Sequence, residues 1–81
     1  MTEKGRIPYN VENIFTYHPP QPGQQERYVL LRDQAKGLAK LIIGNCPDSR
    51  ERSLALTKLE ESIMWANAAI ARNEGPVEGT P

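Results

Sequence analysis

The run from Cys46 to Glu74, CPDSRERSLALTKLEESIMWANAAIARNE, constrains the fold more than any other part of this 81-residue chain. Leu56, Leu59, Ile63, Ala66 and Ile70 recur every three or four residues, which is the spacing of one helical stripe. A second set, Ala55, Ser62, Trp65, Ala68 and Ala69, flanks it. Asp48, with Glu51 three residues later, resembles a capping box in which Asp replaces Ser or Thr. The pattern predicts one helix from Asp48 to about Asn73, roughly 38 Å at the ordinary rise per residue. Such a helix carries more apolar and alanine surface than a chain of this length can bury alone. Self-assembly or a partner is the expected remedy.

A second stripe precedes it. Tyr28, Leu31, Ala35, Leu38 and Ile42 predict a helix from Pro22 to about Gly44, with Leu41 and Ile43 widening its apolar face. Pro22 suits a first helical turn, and Gly44-Asn45 reads as a stop in the left-handed conformation. The link to the next helix is short, so the two should lie antiparallel. The expected fold is all-α: a helical hairpin over residues 22–74, an N-terminal arm over 1–21, and a disordered tail over 75–81 that begins to fray at Glu74. In the arm, Val11 to Phe15 can form a turn capped by Asn10, and Tyr17-His18-Pro19-Pro20-Gln21-Pro22 must be extended. An isolated pair of helices this small is marginal. Ala66, Ala68, Ala69 and Ala71 would allow close approach of another helix.

Composition narrows the function classes. Ten basic residues balance ten acidic ones, which argues against a sequence-independent grip on long DNA or RNA. A small phosphorylated ligand, needing only a local pair of cations, stays open. The lone Cys46 cannot form an internal disulfide. The first ten residues lack a signal-peptide core, and no apolar run approaches the roughly 20 residues of a membrane span. A cytosolic, soluble protein is expected. No P-loop, nucleophile elbow or zinc spacing is present, and a sole histidine in a proline-rich arm makes a poor general base. The expectation is a non-enzyme without metal or cofactor.

Several residues stand out against this background. Arg32, Lys36 and Lys40 share one face of the first helix, either as a phosphate site or as a solvated face. Arg32 is the best of the three, since guanidinium binds phosphate through a fork of donors. Tyr17 and His18 sit on a stiff segment able to stack on a base or lie over a ligand, or else Phe15 and Tyr17 simply staple the arm to the helices. Trp65 reads as a core or interface anchor, and Cys46 as a small buried filler. Asn67 and Asn73 either bond a ligand edge or face water. Arg72 sits where a helix C-terminus favours a cation.

The segments FTYHPP (Phe15 to Pro20) and PDSRERSLALTKLEESIMWANAAIARNE (Pro47 to Glu74) resemble a small phage family, the anti-CBASS cyclic-oligonucleotide sponges. Their hairpin also occurs in some Thoeris-inhibiting sponges. The resemblance implies a homohexamer that holds cyclic dinucleotides between protomers and cyclic trinucleotides at separate sites. The messenger is sequestered, not cleaved, in the cytoplasm of the infected bacterium. By position, the resemblance implies Tyr17, with neighbouring His18, and Arg32 or Lys36 as dinucleotide contacts, and Arg72 as a trinucleotide contact. The alternative is a helical module that docks on another phage or host protein through its alanine-rich helix.

Overall fold

A computed structural model describes residues 9–74. The expectations for residues 1–8 and for the tail at 75–81 lie outside the described residues. Three helices follow in order: α1 (Val11–Ile14), α2 (Gln24–Asn45) and α3 (Arg50–Asn73). The described residues contain no strand.

The predicted turn of the arm forms as α1. The Asn10 side chain accepts a hydrogen bond from the Asn13 backbone N–H at 3.0 Å, capping α1. Phe15 and Tyr17 do not staple the arm, because both rings stand in solvent. Polar contacts do that work. Asn13 Nδ2 donates to the Arg72 carbonyl at 2.9 Å, and His18 Nε2 lies 2.7 Å from the Asn13 carbonyl. A carbonyl can only accept, so Nε2 carries the proton.

The start of α2 differs from expectation. Pro22 lies in a turn ahead of the helix, and Gly23 caps it at φ 84°. That left-handed conformation suits glycine, and it makes Gln24 the first helical residue. Gln24 is the only buried residue among those described, at 2 % exposure. Its side chain accepts from the Gln21 N–H at 2.8 Å and donates to the Ile70 carbonyl at 3.4 Å and to Glu74 at 3.0 Å. The far end of α2 also differs. The helix runs through Gly44 and Asn45 without a left-handed residue and ends at an extended Cys46. Cys46 is exposed at the turn and fills no core.

Ser49, not Asp48, caps α3, accepting from the Arg52 N–H at 3.1 Å. Asp48 is taken up instead by the Arg52 guanidinium, 3.2 Å away. The same guanidinium donates to the carbonyls of Ile43 (3.2 Å) and Cys46 (3.3 Å). One cation thus satisfies acceptors left open at the end of α2, where the helix dipole also favours it. Gln24 meets Ile70 while Arg52 meets Ile43, so α2 and α3 run antiparallel.

The seam uses Tyr28, Leu31, Ala35, Ala39 and Ile42 on α2 against Leu56, Leu59, Ile63, Ala66 and Ile70 on α3, all half-buried. The α3 stripe is the predicted one. On α2, Leu38 turns outward at 47 % exposure and Ala39 takes the inward place. Ala35 and Ala39 make part of the contact through small side chains. Among the described residues no apolar side chain is fully buried. Leu30, Leu41 and Ile43 on α2, and Leu54, Met64 and Trp65 on α3, all face solvent. Among the described residues no helix is long and apolar enough to cross a membrane.

Candidate functional site

The arm crosses the open end of the hairpin, and a concavity of about 550 Å³ forms beneath it. Tyr17 and His18 reach it from the arm, Arg32 from α2, and Asn67 and Arg72 from α3. Ala68 and Ala71 make part of its wall small and flat. The volume falls within the usual small-ligand range, roughly 300–1,000 Å³.

Each element places its residue for a local reason. The proline pair after His18 holds the arm extended, and the bond from His18 to the Asn13 carbonyl fixes the ring's seat. The Tyr17 ring, 81 % exposed, is left with a free face. Arg32 lies one residue beyond the inward Leu31, at the edge of the seam. Arg72 is held at the other side: its carbonyl binds Asn13, and its guanidinium stands 6.0 Å from the Trp65 ring centroid, within cation–π range. Trp65 itself is 64 % exposed, so within one protomer it anchors no core.

A second concavity, about 410 Å³, continues along the seam and holds Lys36. Its other walls are largely apolar: Ala39, Leu56, Leu59 and Met64. Arg32 and Asn67 line both hollows and form the sill between them. Of the five residues that the resemblance implies as ligand contacts, Tyr17, His18, Arg32 and Arg72 line one hollow, and Lys36 lies in the next. Arg72 lines the first hollow within a single protomer.

An ionic clasp closes this end of the molecule. Arg27 donates to both carboxylate oxygens of Glu74, at 2.7 and 2.6 Å, and Gln24 adds a third bond. The hydrogen bond from Arg27, then that from Gln24, holds the Glu74 carboxyl down at about 2. The same pairing raises Arg27. Glu74 is thus pinned to α2, where fraying was expected. Sequence reasoning missed both Gln24 and Arg27, which carry no periodic or motif signal. Among the described residues, no group of three or more His, Cys, Asp or Glu is placed to hold a metal ion.

Chemically, the first hollow offers a free aromatic face, two guanidiniums and an amide, with no acid–base pair aimed at a common point. It suits an anion that also carries flat rings. A family model described as the Acb2/Tad1 hairpin domain matches residues 8–71. No curated protein and no solved structure gives a significant match.

Proposed function

The chain belongs to the Acb2/Tad1 hairpin-domain family, and on that premise we propose that it is a sponge for cyclic di- and trinucleotide second messengers, cyclic GMP-AMP among them. It sequesters them intact in the cytoplasm of the infected bacterium and so starves the CBASS effector. The observation that carries this reading is the convergence of Tyr17, His18, Arg32 and Arg72 on one hollow from three different elements. Tyr17 stacks on a base, as exposed aromatics do on nucleotides. Arg32 takes a phosphate through its fork of donors, with Lys36 as a neighbouring charge. Arg72, which faces both this hollow and Trp65, serves the cyclic trinucleotide.

The protein works as a homo-oligomer, with a hexamer as the family expectation. Support comes from the lack of a buried apolar residue among those described and from the outward face of α2. There Gly37 and Gly44 sit inside a helix, where glycine costs about 0.5–1 kcal/mol relative to alanine. A Cβ at either position would meet nothing within 4 Å. Flanked by exposed Leu30 and Leu41, these glycines suit close approach by a second copy.

The test is calorimetry of the purified protein with a panel of cyclic di- and trinucleotides, followed by heat denaturation and analysis of the released ligand. Tight binding with recovery of intact cyclic ligand is expected. Linear or hydrolysed product would make the protein an enzyme. The exposed Leu54, Met64 and Trp65 on α3 favour a second reading, a module that docks on another protein. No nucleotide binding, together with a stoichiometric protein partner, would decide for it.

A further inference from the structure

Two donors on the arm are already engaged. The Thr16 hydroxyl donates to the Glu12 carbonyl, and His18 Nε2–H donates to the Asn13 carbonyl at 2.7 Å. A carbonyl only accepts, so each proton is turned toward α1. What remains on both side chains is an acceptor. Thr16 Oγ1 keeps a lone pair, and in the neutral His18 ring Nδ1 accepts, with no partner among the described residues. Thr16 is exposed; His18 is half-buried, and its Nδ1 is not a buried orphan. Both residues line the first hollow, on either side of Tyr17 in the chain. The other polar groups there differ in kind. Arg32 and Arg72 are cations suited to phosphate. Gln25 and Tyr28 can each donate or accept, the amide by flipping and the hydroxyl by rotating, so they fit either polarity. The arm thus presents a fixed pair of acceptors.

We propose that this pair selects guanine: Thr16 Oγ1 and His18 Nδ1 accept from the neighbouring N1–H and N2–H donors of a guanine that lies against Tyr17. The inference rests on the sponge reading above and names the base that its arm prefers. Guanine carries two adjacent donors on its Watson–Crick edge, an edge that proteins read in unpaired bases. Adenine offers one donor beside the N1 acceptor there, and that acceptor would face another acceptor across the contact. Cyclic dinucleotides of the two bases share one sugar–phosphate ring, so Arg32 and Arg72 serve both alike. The preference then comes from the arm, because a mismatched edge leaves polar atoms unpaired.

Calorimetry at pH 8 with cyclic di-GMP and cyclic di-AMP, both 3′,3′-linked, tests this. The samples are the unaltered chain and a double variant, Thr16→Val with His18→Gln. Valine keeps the shape of threonine without its oxygen. The glutamine amide can still donate to the Asn13 carbonyl but puts no acceptor at the Nδ1 position. The unaltered chain should bind cyclic di-GMP roughly tenfold or more tighter than cyclic di-AMP, the scale of a hydrogen bond. In the double variant the preference should fall below about threefold, with cyclic di-AMP affinity kept within about threefold. Equal affinity of the unaltered chain for both, or a preference for adenine, overturns the proposal and leaves the sponge reading standing. A preference undiminished in the double variant does the same. An equal loss of both ligands there also overturns it, because the two residues would then only hold the arm in place. If the unaltered chain binds no member of the cyclic-nucleotide panel, the sponge reading falls, and this proposal with it.

Discussion

Asn13 donates its side-chain amide to the carbonyl of Arg72, 2.9 Å away, and so fastens the arm to the last turn of α3. Its own carbonyl is the partner of His18. One residue therefore sets the position of three groups on the hollow: Tyr17 and His18 through the arm, and Arg72 through its backbone. Asn13→Ala should free the arm, with a stability loss of about 1 kcal/mol, the net value of a typical hydrogen bond. Affinity for cyclic GMP-AMP should fall at least as far as in Tyr17→Ala. Limited proteolysis between Thr16 and Gln21, beside calorimetry, checks both effects.

Arg32 and Lys36 make different predictions. Arg32 lines both hollows and Lys36 only the second. Arg32→Glu should abolish detectable dinucleotide binding. Arg32→Lys should retain charge but lose the fork, costing about tenfold or more. Lys36→Ala should have the smaller effect, about 1 kcal/mol or less, as for an exposed ionic contact. A calorimetric titration of the three variants ranks them directly.

Gly37 separates assembly from folding. In a free helix Gly37→Ala would stabilise by about 0.5–1 kcal/mol, since no protomer atom obstructs a Cβ there. If α2 meets a second copy along this face, Gly37→Leu should lower the assembly mass and the thermal midpoint together. Light scattering and a melting curve on the same samples show which applies.

The clasp at Glu74 predicts an acid dependence. Its carboxyl falls from an ordinary value of 4.5 to about 2 in the folded protein. A depressed carboxyl stabilises the fold above its unfolded value, and that contribution fades as pH falls from about 4.5 through 2. Melting curves of the unaltered chain and Glu74→Gln should therefore differ at pH 6 and converge near pH 2. Both side chains are substantially exposed, so added salt should narrow the difference at pH 6.

Periodicity alone made the hairpin legible. The α3 stripe from Leu56 to Ile70 is the one that packs, because bulky apolar residues repeat there without competition. Helix ends were less legible. Asp48 and Ser49 are both good caps, and Arg52 decided between them by drawing the Asp48 carboxylate away. Leu38 and Ala39 straddle the seam, and which of the two turns inward depends on how the helices are rotated against each other, a tertiary property. On the site side, Tyr17, His18, Arg32 and Arg72 were visible as chemistry before their proximity was known. The polar joints at Gln24, Arg27 and Asn13 were not, because each depends on a partner about 46–59 residues away. No local pattern encodes such pairs.

The hairpin puts the first hollow, lined by Tyr17, Arg32 and Arg72, at its open end and leaves its turn at the opposite pole. The turn is a helix length away, about 33 Å along the 22 residues of α2. The lone Cys46 stands there with an exposed thiol. It offers a position for a single dye or surface tether that keeps the hollow clear.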